Sequence, residues 1–395
     1  MCSREASSRK RASGAPTSGI IESDILRVSL LKSSGEYENR LGKSAVAGRF
    51  AGIVRRVLLS ENFVLYLSVL YFVVLYLFMP YIASPGNLTN ISSDMWPLFA
   101  LVLGQMFVLI LGGIDLSQTS IMALTSVIGA MLMTTELNPA LFEKSPLWGI
   151  LLSSGGSPIS GTALAVPLGI AAMLVVGMLV GLLNGLAVAK FRMPAFMVTL
   201  VSMMFFSGLA IYLTKSENIM YLPKSYTMIG SGQIGLIPYS FFVVLVLAVA
   251  AHVVLRHTVL GRWFFAIGKS LRTSMVSGVP TDRVIIIGYI LSGFFAAVAS
   301  VLYSARLAGG RPTLGRNLLL DVIGAAVIGG ISLFGGKGKV LWALFGVLFF
   351  ILLSNSLNML DVPFYAEPVI KGAVILLAAL LDVTRTRFLA REALA

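Results

Sequence analysis

The sequence predicts an all-α membrane protein of about ten transmembrane helices, with an internal repeat and interrupted helices. Three observations predict it: a strongly apolar composition, apolar runs long enough to cross a bilayer, and two similar glycine-rich segments that interrupt those runs. Of the 395 residues, 57% are hydrophobic and 12% are charged. Soluble domains carry about 25% charged residues, so this composition indicates a membrane protein.

The apolar runs set the number of predicted spans. One crossing of the hydrocarbon core needs about 20 apolar residues, which leaves room for about ten crossings. The candidate spans are Phe63 to Ile82, Trp96 to Leu111, Leu116 to Met133, Ala163 to Ala189, Ala195 to Leu213, Tyr239 to Leu255, Val284 to Tyr303, Leu320 to Leu333, Val340 to Leu360 and Pro368 to Leu381.

Charge indicates orientation rather than nucleic-acid binding. The net charge is +13, but the basic residues cluster at the ends of apolar runs, as cytoplasmic loops do. We interpret residues 1–60 as a basic, largely disordered cytoplasmic tail, residues 61–383 as the transmembrane domain and residues 384–395 as a cytoplasmic C-terminal tail. The basic segment ARLAGGRPTLGR does not fit this scheme: either the loop is re-entrant or one crossing is miscounted.

The interrupted runs form a repeat. GGIDLSQTSIMAL begins at Gly112 and Gly113, and GGISLFGGKGKVLWAL begins at Gly329 and Gly330. Each copy continues into a long helix that ends near an asparagine, Asn184 or Asn358. Repeated broken helices are typical of transporters, because irregular backbone is tolerated only where protein or a water-filled cavity satisfies it. The alternative is that the glycines only allow close helix packing.

Several longer stretches identify a family. LGGIDLSQTSIMALTSVIGAM, GLLNGLAVAKFRMPAFMVTLVSMMFFSGLA, GRWFFAIGKSLRTSMVSGVPTDRVIIIGYILSGFFAAVASVL and DVIGAAVIGGISLFGGKGKVLWALFGVLFFILLSNSLNML occur in family order between Trp96 and Asp382. This region resembles the permease subunit of bacterial monosaccharide ABC importers of the ribose and xylose type. Gln118 and Thr119 replace the usual Val-Gly, and GRNLLLD lacks the acidic residue usual just before Leu320.

The resemblance implies a multi-pass protein of the bacterial inner membrane, with both termini cytoplasmic. Its implied partners are an ABC ATPase subunit, a periplasmic sugar-binding protein, a second copy in a homodimer, and membrane lipid. No nucleic acid is implied. The chain itself is expected to bind no cofactor and to be no enzyme, since ATP and Mg would bind the partner ATPase.

We expect the translocation pathway to involve the glycine pairs and the polar residues near them: Gly112, Gly113, Asp115, Gln118, Asn184, Gly329, Gly330 and Asn358. A carboxylate at membrane depth is costly unless it caps a helix or contacts water. Asp115 could therefore cap the following span or contact the sugar, and the sequence leaves both open.

The basic segment from Gly261 to Arg283 is the predicted coupling region. Ser270 and Asp282 are suitable N-caps, for a short helix over Leu271 to Ser277 and for the next span, and Gly278 is a suitable helix stop. So short a helix is unstable without a partner surface. The resemblance implies that the partner is the ATPase, with coupling residues Gly261, Arg262, Gly268, Leu271, Met275 and Gly278; a structured turn is the alternative.

Other function classes fit less well. LGKS and IGKS are only the last letters of a Walker A motif, so the ATPase should be a separate subunit. An ion-coupled secondary transporter remains the alternative, with Asp115 or Asp321 as relay; Asp321 can instead pair with Lys371. An intramembrane enzyme is disfavoured because no span combines a serine with a suitably placed histidine. Cys2 is the single cysteine, and His252 and His257 lie near a span end, so no metal site is expected.

Overall fold

The computed structural model describes residue 60 and residues 62–392, and side chains as far as residue 380. Apart from Ser60, the predicted N-terminal tail lies outside the described residues. Of the predicted C-terminal tail, residues 384–392 continue the last helix.

The described part of the chain forms fourteen α-helices. They are α1 (Phe63–Phe78), α2 (Pro85–Ile110), α3 (Gln118–Met133), α4 (Pro139–Phe142), α5 (Ala165–Ala189), α6 (Ala195–Thr214), α7 (Lys224–Ser231), α8 (Tyr239–His257), α9 (Val259–Lys269), α10 (Leu271–Val276), α11 (Thr281–Arg306), α12 (Leu319–Ile328), α13 (Val340–Met359) and α14 (Glu367–Glu392). A 3-10 helix covers Pro80–Ala83. Strands β1 (Gln233–Ile234) and β2 (Ile237–Pro238) form an antiparallel hairpin in which Gln233 pairs with Pro238.

Each of the ten predicted spans overlaps one helix, which confirms the mostly α-helical membrane fold. Six helices in the described region are long and apolar enough to cross a membrane by length and composition: α2, α5, α6, α8, α11 and α13. Helices α1, α3 and α12 are apolar but shorter, so ten crossings remain a prediction.

The start of α2 differs most from the prediction. The helix begins at Pro85, not at Trp96, because Ser84 caps it by accepting a hydrogen bond from the Asn87 amide (3.4 Å). The polar first turns are stabilised by a reciprocal amide pair, with Asn87 and Asn355 of α13 donating to each other at 3.0 and 2.9 Å. Such interhelical hydrogen bonds allow polar residues inside an apolar bundle.

Helix α11 occupies the centre of the bundle and packs closely on α5. Gly177, Gly181 and Gly185 form a stripe along α5, at the four-residue spacing that lets helix backbones approach. A Cβ at Gly181 would overlap the Tyr289 carbonyl oxygen of α11, and one at Gly185 would lie 2.8 Å from the Ile286 Cα. The glycines of this stripe therefore allow α5 and α11 to pack closely.

A group of basic residues lies at one end of the bundle, which we call the basic end: Lys190, Arg192, Arg256 and Lys269 lie where α5, α8 and α9 terminate. There Asp282 pairs with Lys190 (3.5 Å) and with Arg192 (3.2 Å). The predicted N-cap role of Asp282 is wrong, because α11 begins at Thr281 with Pro280 at the cap position. Asp282 instead lies in the first turn, where an acidic side chain also complements the helix dipole.

The loop from Leu307 to Leu318 folds back into the bundle, as the re-entrant alternative expects, while the number of crossings stays a prediction. It starts at the end opposite the basic end, where Gly310 exchanges two backbone hydrogen bonds of 2.8 Å with Ile219. It then returns along α3: Arg311 N donates to Ser126 Oγ (3.1 Å), while a Cβ on Gly315 would lie 3.4 Å from the Thr119 carbonyl. From Ser126 to Thr119, α3 covers about 10 Å, so the loop is re-entrant.

Ion pairs fix the helices near this opposite end. Arg306 of α11 pairs with Asp94 of α2. Lys371 of α14 contacts Asp321 of α12 at 2.7 Å and Glu367 at 2.8 Å, and the Lys371 and Asp321 side chains are only 7% and 9% exposed. The predicted pairing of Asp321 with Lys371 is therefore confirmed.

Candidate functional site

The first glycine pair ends a helix instead of kinking one. At the end of α2, Gly112 has φ +84°, its N–H donates to the Leu109 carbonyl (2.9 Å), and the Gly113 N–H donates to the Val108 carbonyl (3.0 Å). These are the two bonds of a Schellman motif, which needs a left-handed residue at the position of Gly112. An extended segment then leads to α3, which starts at Gln118.

Asp115 lies in that extended segment and holds it in place. Its Oδ1 accepts hydrogen bonds from the Ser117 backbone N–H (2.9 Å) and from Ser117 Oγ (2.6 Å). Its Oδ2 accepts from Ser292 Oγ of α11 (2.6 Å). The carboxylate thus satisfies an N–H at the start of α3 and ties that start to α11. Three donors offset part of the cost of burying it.

A polar cluster extends from Asp115 to four helices. Gln118 Nε2 donates to Ser292 Oγ (2.9 Å), and Asn184 Nδ2 of α5 donates to Ser117 Oγ (2.8 Å). Ser202 Oγ of α6 donates to the Asn184 side-chain oxygen. We call Asp115, Ser117, Gln118, Asn184, Ser202 and Ser292 the polar cluster.

Gln105 of α2 completes the support of the extended segment. With its amide nitrogen toward the Asp115 carbonyl oxygen (3.0 Å) and its amide oxygen toward the Asp115 N–H (3.2 Å), it pairs with both backbone groups. Gln105, Ser117, Ser202 and Ser292 were not among the predicted site residues. The only signal of Gln105, Ser202 and Ser292 is a single polar residue in an apolar run, which does not reveal its partner.

The polar cluster is closed in this conformation. Asp115, Gln118 and Asn184 are each 1% exposed. Their polar groups are satisfied within the chain, whereas the neighbouring Tyr289 hydroxyl is buried with no hydrogen-bond partner. A Cβ at Gly113 would lie 2.8 Å from that hydroxyl, so any larger residue at Gly113 would displace Tyr289 or the extended segment.

The second glycine pair repeats the helix end with an offset. Gly330 has φ +92°, its N–H donates to Val327 (2.9 Å), and Ile331 N–H donates to Ala326 (3.0 Å). Gly330 is thus equivalent in backbone conformation to Gly112, although the aligned letters pair it with Gly113. Gly112 and Gly330 are exposed, whereas Gly329 is buried against the Trp342 carbonyl.

Asn358 lies away from the other predicted pathway residues. It is exposed near the end of α13 opposite the basic end, where its Nδ2 donates to the Ser354 carbonyl (3.1 Å). Asn184, by contrast, is buried in the polar cluster. The two asparagines that match in the sequence repeat therefore occupy different environments.

The predicted short helix of the coupling region is present as α10. Ser270 caps it by accepting from the Thr273 N–H (3.2 Å), and Gly278, at φ +79°, follows its end. Three of its six residues expose apolar side chains: Leu271 is 39%, Met275 37% and Val276 85% exposed. An exposed apolar group on a polar end of the bundle is a candidate partner surface.

The remaining coupling residues divide between the surface and the bundle. Arg262 is exposed on α9. Gly261 is buried at the corner where α9 leaves α8, and a Cβ there would overlap the Leu255 carbonyl. Gly268 also contacts its own chain, since a Cβ there would overlap the Ile110 carbonyl. Gly268 thus faces the bundle and not a partner, so a substitution there would disturb the packing of its own chain.

Comparison with known proteins gives the family. A model described as "Branched-chain amino acid transport system / permease component" matches residues 87–379. The chain is 31% identical over 307 residues to the ribose import permease RbsC of Haemophilus influenzae, covering 77% of this chain and 87% of the relative.

Two further relatives are the Bacillus subtilis RbsC and the L-arabinose ABC transporter permease AraH of Azospirillum brasilense. The first is 32% identical over 77% of this chain and 86% of its own. The second is 29% identical over 85% of this chain and 90% of its own length. No solved structure matches the chain. The chain belongs to this family of multi-pass transport permeases, which confirms the resemblance found in its sequence.

Proposed function

We propose that the chain is the permease subunit of an ATP-driven importer for a monosaccharide or a related polyol in the bacterial inner membrane. It forms the translocation pathway as a homodimer, receives its substrate from a periplasmic sugar-binding protein, and is driven by a separate ABC ATPase that binds ATP and Mg. Both termini, with the basic end, face the cytoplasm, in agreement with the clustering of Lys and Arg there.

The exposed surface of α10 is the observation that carries this proposal. Helix α10 has six residues, a capped start, a left-handed glycine stop and three exposed apolar side chains. In a permease, such a helix is suited to docking into a groove of a cytoplasmic protein. A helix this short is unstable alone, so binding energy from a partner accounts for it better than a solvated turn does.

The eight predicted pathway residues keep that role as a proposal. The polar groups of Asp115, Gln118 and Asn184 are satisfied internally in this conformation, so the pathway requires an opening at the helix ends. Gly112 and Gly330 are the exposed members at those ends, and their left-handed conformations already break the helices there. Neutral amide groups such as those of Gln118 and Asn184 suit a neutral sugar.

The energy source tests the proposal. In proteoliposomes containing the chain, its partner ATPase and the binding protein, sugar uptake should require ATP and persist when a protonophore collapses the proton gradient. Uptake by the chain alone, driven by a proton or sodium gradient, would refute the proposal and establish the ion-coupled alternative.

A substitution on α10 tests the docking surface. Met275→Asp places a charge in the proposed apolar contact and should reduce sugar-stimulated ATP hydrolysis by about tenfold or more, as loss of a central interface residue does. Membrane insertion should be normal because Met275 is not part of the core of the bundle. Met228→Asp is the matched control: Met228 is 47% exposed and lies on α7 at the opposite end. Equal hydrolysis in both variants would contradict the assignment.

A further inference from the structure

Three backbone segments meet at the basic end without side chains between them. They are the end of α2 at Ile110 to Gly112, the end of α9 at Gly268, and the loop before α13 at Gly335 and Gly336. The Gly336 N–H donates to the Ile110 carbonyl (2.9 Å), which joins the end of α2 to the loop that follows the second glycine pair. We call this contact the glycine junction.

Each segment of the junction depends on glycine. A Cβ on Gly268 would overlap the Ile110 carbonyl and lie 2.5 Å from the Gly336 nitrogen. Gly335 has φ +88°, and a Cβ there would lie 2.7 Å from the Gly268 carbonyl and 3.0 Å from the Gly112 nitrogen. Gly336 has φ +71° and would place a Cβ 2.9 Å from Lys269 Cγ. L-residues rarely adopt these conformations, and close-packed backbones transmit displacement with little slack.

Helix α10 is linked to the glycine junction through α9. Only Ser270 separates α9 from α10, so a force on α10 reaches α9 through one residue. Helix α9 is anchored in the bundle by Phe264, whose ring lies 5.5 Å from that of Phe107 on α2. A displacement of α9 must therefore move its glycine end against the end of α2 and the loop before α13.

We propose that Gly268 and Gly336 are positioning residues for transport: through the glycine junction, movement of α9 shifts the end of α2 and the loop before α13 together. This inference rests on the proposed function, since it supplies the path from the ATPase surface to the end of α2 and to the loop before α13. The repeat alone does not provide that path, because its two copies are far apart in the sequence.

The test compares each junction glycine with a control glycine of matched backbone conformation that lies in open space. Gly336→Ala should lower sugar uptake per ATP hydrolysed by about tenfold in the assembled complex, with hydrolysis retained, because a Cβ separates the segments. Its control is Gly235→Ala, which also has a left-handed φ (+62°) but open space around it. Gly268→Ala should behave like Gly336→Ala, and its control is Gly208→Ala, a helical glycine with no atom within 4 Å.

The readout separates coupling from folding, because complexes are first checked for ATPase binding. An unchanged ratio of uptake to hydrolysis in assembled Gly336→Ala complexes would overturn the inference. If Gly268→Ala or Gly336→Ala does not assemble, Gly112→Ala decides: its Cβ would lie no closer than 3.6 Å to another segment, so it should fold, while its left-handed φ of +84° makes an alanine shift the end of α2 within the junction and should change the ratio. A wild-type ratio in that variant would also overturn the inference. A wild-type chain that binds no ATPase would refute the proposed function itself.

Discussion

Gly181→Leu is expected to prevent the permease from folding in the membrane. Even a Cβ at this position would overlap the Tyr289 carbonyl oxygen, so a leucine must push α5 away from α11. The separation would also break the contact of Gly177 with Gly293 and the hydrogen bonds of Asn184, which reaches the polar cluster from the same helix. Overpacking in a close-packed interior costs about 1–3 kcal/mol even where neighbours can adjust, and backbone cannot adjust here.

The measurement is the yield of monodisperse, protease-resistant protein after detergent extraction, with thermal unfolding of whatever is recovered. Gly208→Leu is the matched control, because Gly208 lies in the apolar helix α6 with open space around it. Recovery and unfolding temperature equal to those of Gly208→Leu would show that the approach of α5 to α11 is not required.

Lys371→Met is expected to destabilise the fold by about 3–5 kcal/mol, the usual cost of removing one partner from a buried ion pair. Asp321 would keep its carboxylate in a site where its side chain is 9% exposed, without the ammonium that now lies 2.7 Å away. Glu367 would lose the same contact at lower cost, because its side chain is 26% exposed.

The double variant Asp321→Leu with Lys371→Met is the control for this prediction. Replacing both members by apolar side chains removes the unpaired charge, so stability should return close to that of the wild type. The stability of the single and the double variant is measured by unfolding in detergent or lipid nanodiscs, with tryptophan fluorescence as the signal. A single variant as stable as the wild type would show that this ion pair contributes nothing to the fold.

The spans could be predicted because long apolar runs indicate membrane helices whatever their partners. The start of α2 could not, since its polar turns depend on Asn355, which lies far along the chain. The same reason explains the polar cluster: Asp115 was found because a carboxylate in an apolar run is unusual, whereas Ser292 and Ser202 are ordinary until they meet Asp115 and Asn184. The structural equivalence of Gly112 and Gly330 was not predicted, because aligning the two copies by residue identity pairs Gly330 with Gly113. Gly112 and Gly330 correspond through their backbone conformation.

Gly268 illustrates the same limit within the coupling region. Its position in a basic segment indicated a surface residue, and only the fold brings the Ile110 carbonyl and the Gly336 N–H to its Cα. Ser270 and Gly278 were predicted correctly because caps and left-handed helix stops depend on residues within one turn.

The re-entrant loop before α12 has a consequence for the biosynthesis of the chain. Because the loop uses part of the depth of the bundle, α12 is only ten residues long, about 15 Å, or half the thickness of the hydrocarbon core. It also carries Asp321, whose partner Lys371 belongs to α14, which is synthesised after α12. We therefore expect α12 not to insert stably on its own during translation, and a chain truncated before α14 to leave it unintegrated or exposed to quality-control proteases.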